Sequence, residues 1–245
     1  MPPWGSRARC WVVITVRTSV RGRQRRADRD GRYDRESQEF ARLVNLCDAV
    51  FAIAMTLLAF KVEAPEGLST GGDLAPVVPQ VLAFLLSFGI VANFWWHHHH
   101  LLARVGRIES GFVALNLGLL GAVALVPFPT ELIGHHPVEP VTALVYLALM
   151  LVITVLIVGI VHRAERAGLW RSEVKEAERR ELYVGWVTMV GVIVLAMLVA
   201  VVWPLVGLAL LLLTGPADHL ARRAATRGSR KPRGGPRHSG GTTGL

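Results

Sequence analysis

Long blocks of apolar residues constrain this chain more than any other feature of its sequence. Six such blocks lie within the 245 residues, at positions 40–60, 77–96, 112–128, 141–161, 182–203 and 204–220. An α-helix rises about 1.5 Å per residue, so crossing about 30 Å of hydrocarbon takes roughly 20 residues. The sixth block is the weakest, because its apolar run ends at Thr214. The sequence predicts an all-α, polytopic membrane protein with six transmembrane helices.

The distribution of basic residues predicts how these helices are oriented. If the N-terminus lies inside, 26 of the 27 Lys and Arg residues fall in inner regions or at the inner end of the first helix. Only Lys61 falls in an outer loop. Cytoplasmic loops of membrane proteins carry such an excess of Lys and Arg. Both termini are therefore predicted to be cytoplasmic, with a tight outer turn at Trp203-Pro204 rather than one kinked fifth helix.

Composition narrows the class of protein further. The chain is 52% hydrophobic and 18% charged, and its formal net charge is +9. No nucleic-acid partner is predicted, since the basic residues lie in tails and loops without an aromatic-basic module. Two cysteines imply neither a disulfide framework nor a metal site.

Residues 1–38 and 221–245 are predicted to be disordered basic tails around a six-helix domain at 39–220. The Arg-rich usage indicates a bacterial source, hence the bacterial plasma membrane.

The first apolar block carries polar residues that are unusual inside a membrane span. Arg42, Asn45 and Asp48 are default candidates for a functional site, because ionisable groups are costly in lipid. The alternative is that Asp48 is a structural anchor that is hydrogen-bonded to neighbouring helices. At 100° per residue, Asp48 lies about 140° from an apolar stripe, which consists of Ile53, Leu57 and Phe60. That stripe faces lipid, a partner subunit or a pore axis, and periodicity alone ranks lipid first.

Three ordered motifs resemble the transmembrane-protein-175 family of potassium channels. The first resembles the family's RxxxFSD helix, and the second its aromatic-Trp-x-x-His-His-x-Leu segment. These motifs are Arg42-x-x-x-Leu46-Cys47-Asp48, Phe94-Trp95-Trp96-His97-His98-His99-His100-Leu101, and Leu115-Asn116-Leu117 leading to Leu125-Val126-Pro127-Phe128-Pro129-Thr130. The resemblance covers about residues 40–134. Here Leu46-Cys47 replaces the Phe-Ser of the first motif, which removes a hydroxyl group.

The resemblance implies a potassium-selective or potassium-preferring cation channel that assembles as a homotetramer around its first helix. Bulky apolar side chains of that helix constrict the pore in place of a carbonyl-lined filter. Carried onto this chain, the constriction falls on Ile53, with Leu57 and Phe60 as the next layers, and Thr56 flanks it. Phe60 is larger than the residue usual in its layer, which implies a low conductance. The permeating ion is K⁺, and no cofactor is implied.

The resemblance also implies a structural network around the first motif. It joins Arg42 and Asp48 to Trp95, His98 and Asn116. The run of four histidines at 97–100 is not predicted to hold a metal, because adjacent helical residues point 100° apart and only His97 and His100 could meet.

Other functions fit the sequence less well. No phosphate-binding glycine loop, zinc-protease motif or nucleophile elbow is present, so no enzyme is predicted. The main rival to a channel is a proton-coupled cation transporter that works by alternating access through Asp48. A small-molecule-binding membrane scaffold ranks third.

Overall fold

The computed structural model describes residues 32–64 and 75–211. Within these ranges the chain is mostly helical, with two short paired strands. The elements in chain order are β1 (Tyr33–Asp34), α1 (Gln38–Ala59), α2 (Val78–Arg104), β2 (Arg107–Ile108), α3 (Ser110–Ala124), α4 (Pro127–His135), α5 (Pro140–Arg166), α6 (Glu176–Ala200) and α7 (Pro204–Leu210). A 3₁₀ turn at Ala75–Val77 leads into α2.

Five helical stretches in the described residues are long and apolar enough to cross a membrane. These are α1, α2, the stretch Ser110–His135 that combines α3 and α4, α5 and α6. They match the first five predicted blocks, so the protein is a multi-pass membrane protein. The second predicted block ends too early, because α2 continues eight residues past Trp96 to Arg104. Hydropathy falls at the histidine run, but His98 and Leu101 are buried and keep the helix packed.

The third predicted block is broken at Pro127. A proline within a helix removes one backbone donor and clashes with the preceding turn. Here α3 ends at Ala124, and α4 starts at Pro127 and extends the stretch to His135. The hydroxyl oxygen of buried Thr130 lies 2.8 Å from the Val126 carbonyl oxygen and 2.8 Å from the hydroxyl oxygen of Ser87 on α2. These contacts satisfy polar groups at a break inside lipid, where water is absent.

The chain reverses between α6 and α7, as the turn predicted at Trp203-Pro204 requires. Helix α6 ends at Ala200 and α7 starts at Pro204. A Cβ atom added to Gly207 would lie 2.5 Å from the Ala200 Cβ and 2.7 Å from the Ala196 carbonyl oxygen. The two helices therefore form a close hairpin rather than one kinked helix. Residues 212–220 of the sixth predicted block lie outside the described residues.

The hydrophobic core is built around α5, which packs against α3, α4, α6 and α7. Its fully buried side chains include Tyr146, Leu147, Met150, Ile153 and Ile157. Helix α1 packs against α2 and α3 and has fewer contacts with α4. The first helix thus lies at the edge of the bundle, with one face against its own subunit.

The residues just before α1 belong to the folded structure. Tyr33 pairs with Ile108 and Asp34 with Arg107 in an antiparallel ladder. The guanidinium of Arg35 donates to the carbonyl oxygens of Ala103 and Val105 at 2.8 and 3.0 Å, at the C-terminal end of α2. The predicted disordered tail at 1–38 therefore ends too late, because these backbone and side-chain contacts order residues 32–37. Residues 1–31 and the predicted tail at 221–245 lie outside the described residues.

Candidate functional site

Helix α1 has one face that packs against the rest of its own chain. Ser37 caps its N-terminus, where its hydroxyl oxygen accepts a hydrogen bond from the Phe40 backbone N–H at 3.2 Å. Buried positions then recur every three or four residues, which is the period of one helix face. They are Phe40, Leu43, Cys47, Phe51, Ala54 and Leu58. This face fixes the rotation of α1 about its axis.

The opposite face of α1 is uncovered within the single chain. Ile53 is 57% exposed, Leu57 is 43% exposed and Phe60 is 79% exposed. Asn45 and Thr56 are exposed as well. All four residues predicted to line a pore therefore lie on one side of one helix, along its C-terminal half. Large apolar side chains exposed in a line along a helix mark a surface that contacts lipid or another protein.

Thr56 is the one polar member of this predicted pore-lining set. Its hydroxyl donates a hydrogen bond to the Ile53 carbonyl oxygen at 2.8 Å. A hydroxyl group has one proton and two acceptor lone pairs. Because the proton is used within the helix, the Thr56 oxygen is left as an acceptor on the exposed face.

Asp48 is turned away from the centre of the exposed face and toward α2. The indole Nε1–H of Trp95 donates to Asp48 Oδ1 at 2.9 Å. The Nδ1 of His99 lies 3.6 Å from the same oxygen, and its ring packs against Trp95 with centroids 5.6 Å apart. The sequence pointed to Trp95 but missed His99, although His99 lies one helical turn after Trp95 on the same face.

His98 and Asn116 form a second, separate polar pair. His98 Nε2 lies 2.8 Å from Asn116 Oδ1, and both side chains are buried. The Asn116 amide N–H donates to the Phe112 carbonyl oxygen at 2.8 Å, so its oxygen serves as the acceptor for the imidazole. The Phe51 ring of α1 packs against His98 with centroids 5.7 Å apart. This pair joins α2 to α3 beneath the buried face of α1.

Arg42 belongs to neither pair. It is exposed, and it makes no hydrogen bond or ion pair with any residue that the structure describes. The five residues of the implied network are therefore arranged as two pairs plus one uncovered arginine within the single chain. Cys47, which stands where the motif has a serine, is fully buried among apolar side chains.

The four consecutive histidines point in four directions. His97 lies edge-on to Trp186, and His100 Nδ1 lies 2.8 Å from the Trp96 carbonyl oxygen. His98 and His99 reach Asn116 and Asp48 respectively. Within residues 32–64 and 75–211, no three His, Cys, Asp or Glu side chains are grouped so that they could hold a metal ion.

A cleft of about 390 Å³ lies at the C-terminal end of α1. Its walls are mainly apolar, and its lining includes Leu57, Phe60, Leu125 and Phe128. An ion pair closes one side, where Lys61 Nζ lies 2.5 Å from Glu131 Oε2. This pair ties the residues that follow α1 to α4. No local sequence pattern indicates this pair, because its partners are 70 positions apart.

Comparison with known proteins assigns the chain to a family. Residues 42–127 match the model of the family described as endosomal/lysosomal potassium channel TMEM175. A potassium channel of Chamaesiphon minutus is 32% identical over 155 residues, which are 60% of this chain and 75% of that relative. Potassium channels of a Chryseobacterium species and of Streptomyces collinus are 34% and 32% identical. This chain covers 53% and 49% of their lengths.

The fold agrees with a solved member of the same family. The crystal structure of a lysosomal potassium-selective channel TMEM175 homolog from Chamaesiphon minutus superposes with a TM-score of 0.62 at 26% identity. The match covers 78% of this chain and 98% of that one. Since the family is one of ion channels, the prediction that the chain is not an enzyme agrees with it. The chain belongs to the TMEM175 family.

Proposed function

We propose that this protein is a potassium channel whose pore is lined by the exposed face of α1. The observation that carries the proposal is the line of Ile53, Leu57 and Phe60, which the single chain leaves uncovered while it buries the opposite side of the helix. The relatives that match this chain are named potassium channels, and the solved homologue is described as potassium-selective.

A hydrophobic constriction accounts for how such a face controls ion flow. A narrow apolar neck gates by dewetting, because it offers a passing ion no replacement for its hydration shell. We place the constriction at Ile53, with Leu57 and Phe60 as successive layers toward the C-terminal end of α1. Thr56 contributes its hydroxyl oxygen as an acceptor beside this neck. The permeating K⁺ ion is the only ligand that the proposal requires.

One copy of α1 cannot enclose a pore, so the proposal includes assembly. A closed ring of identical subunits gives every copy the same interface and buries the same face in each. A homotetramer with α1 nearest the central axis would bring four copies of Ile53 together. The position of α1 at the edge of its own bundle supports this arrangement, because its exposed face is free to meet other copies.

We also propose six spans, with both termini on the cytoplasmic side of the bacterial plasma membrane. Three segments meet at one end of the bundle, namely the strand before α1, the α2–α3 connection and the α5–α6 connection. Their contacts include Arg35 N–H to the Gly106 carbonyl oxygen at 2.9 Å and Arg171 N–H to the Arg104 carbonyl oxygen at 3.0 Å. Arg-rich loops thus gather at one end, which the positive-inside rule assigns to the cytoplasm.

Reporter fusions test this topology. A reporter that is active only in the cytoplasm should be active when it is fused at residue 1 and at residue 245. A C-terminal fusion that reads as periplasmic would remove the sixth span and leave five.

Potassium flux into liposomes tests the activity. Purified protein in liposomes should pass K⁺ down its gradient without any coupled ion, and recordings should show unitary current steps. The rival transporter, coupled to protons through Asp48, would be slower and would need a proton gradient. Flux that depends on a proton gradient and lacks single-channel events would contradict the channel and favour the transporter.

A further inference from the structure

The end of the bundle opposite β1 carries few positive charges. Among the described residues there, Lys61 is the single Lys or Arg, while Glu63, Glu131 and Glu139 carry negative charge. Lys61 follows directly after Phe60, the last of the side chains that we assign to the pore. An ammonium group therefore lies at the outer end of the proposed pore face, where a positive charge opposes the entry of K⁺.

The structure shows how this charge is balanced. Lys61 Nζ lies 2.5 Å from Glu131 Oε2, and each side chain is 36% exposed. The two residues share the cleft with Leu57 and Phe60 of α1 and with Phe128 of α4. The carboxylate is thus supplied by α4, across the cleft from the helix that carries the pore face.

We propose that Glu131 neutralises Lys61 at the outer mouth, and that these two charges set the conductance for K⁺. This inference rests on the proposed function. In a ring of copies, removal of Glu131 would leave one unpaired positive charge per subunit near the path of the ion. Removal of Lys61 would instead leave one unpaired carboxylate per subunit and attract K⁺. The two residues act on the ion through the local potential rather than by contact with it.

The test compares unitary K⁺ conductance in Lys61→Gln, Glu131→Gln and the double variant at low salt. At about 0.01 M salt the screening length is about 30 Å. There we expect Glu131→Gln to lower the inward conductance about twofold or more, and Lys61→Gln to raise it by a similar factor. The double variant should fall between the two single variants. At about 1 M salt, where the screening length is about 3 Å, the differences should shrink toward zero.

The signs of these changes separate an electrostatic role from a structural one. If the ion pair merely holds α1 against α4, both single variants should change conductance in the same direction, and salt should not remove the change. Either result would overturn the inference. If Glu131→Gln does not assemble, the Lys61→Gln variant still tests the inference. A Lys61→Gln conductance that fails to rise at low salt would also overturn the inference.

Glu139→Gln is the matched control. It removes the same charge at the start of α5, whose main packing partners are α3, α4 and α6. At low salt the control should lower the conductance less than Glu131→Gln does, and at high salt it should conduct as the wild type does. An equal drop in conductance in Glu139→Gln and Glu131→Gln would contradict a specific role for Glu131.

Absence of any K⁺ current in the wild-type protein would overturn the proposed channel function itself, which is a different outcome.

Discussion

At the scale of single residues, Asp48 is held between two side chains of α2. Its Oδ1 accepts the Trp95 indole N–H at 2.9 Å and lies 3.6 Å from His99 Nδ1. The Asp48 side chain is 39% exposed within the single chain. Because it lies in an apolar membrane-spanning helix, where an ionisable group is costly, its carboxylate needs such donors. The side chain lies on the flank of α1, beside the exposed face rather than at its centre. Asp48 therefore fits a role in holding α1 against α2 better than a role in permeation.

We predict that Asp48→Asn weakens folding or assembly and leaves ion preference unchanged. The amide keeps an acceptor oxygen for Trp95 but loses the charge, and a charge-assisted hydrogen bond contributes roughly 1 kcal/mol more than a neutral one. The measurement is the thermal midpoint and the assembled fraction in detergent. Trp95→Phe removes the same hydrogen bond from the other side and should act in the same direction. A fully assembled Asp48→Asn protein with altered selectivity would contradict this role.

The partners of these residues show where prediction from sequence stops. Periodicity placed Asp48 away from the Ile53 stripe, and the structure agrees that the two side chains point in different directions. His98 and His99 are neighbours in the sequence, yet one contacts Asn116 of α3 and the other contacts Asp48 of α1. Which helix each histidine meets depends on how α2 is rotated between its neighbours, and that rotation is set by packing over the whole bundle.

At the scale of elements, hydropathy located the helices well but not their ends and breaks. The apolar blocks predicted five of the spans because membrane helices must be long and apolar. The extension of α2 to Arg104 and the break at Pro127 were not predicted. The extension depends on the burial of His98 and Leu101, and the break depends on Pro127 and on the contacts of the Thr130 hydroxyl. An average of hydropathy over a window of residues registers neither.

The hairpin between α6 and α7 makes a prediction of its own. Gly207→Ala would place a Cβ 2.5 Å from the Ala200 Cβ, so the two helices must separate. Overpacking of this kind costs about 1–3 kcal/mol. Gly191→Ala is the matched control in α6, because nothing lies within 4 Å of its added Cβ. In thermal unfolding, we expect the midpoint to fall for Gly207→Ala only. Equal midpoints for the two variants would contradict the close hairpin.

At the scale of the whole molecule, the bundle is built around α5 while α1 lies at its edge. A core helix is buried on many sides, but the first helix is covered on one side and exposed along the other. Helices α2 and α6 are equally open in the single chain, so this asymmetry fits a helix that faces either lipid or other copies of the chain. The sequence identifies the apolar stripe of α1. It leaves lipid, a partner subunit and a pore axis as alternatives for what that stripe faces. The chain belongs to the TMEM175 family of potassium channels, and this membership supports our proposal that the stripe faces a pore.

The K⁺ to Na⁺ permeability ratio of Ile53→Ala channels tests the central claim most directly. Shortening this side chain widens the apolar neck and lowers the barrier to other hydrated cations. Under asymmetric K⁺ and Na⁺ solutions, we expect a larger current and a reversal potential nearer to zero than in the wild type. Val50→Ala, about 60° from the Ile53 line and nearer the inner end, should change both less than Ile53→Ala does. An Ile53→Ala channel with the wild-type current and reversal potential would contradict the claim that this face of α1 lines the pore.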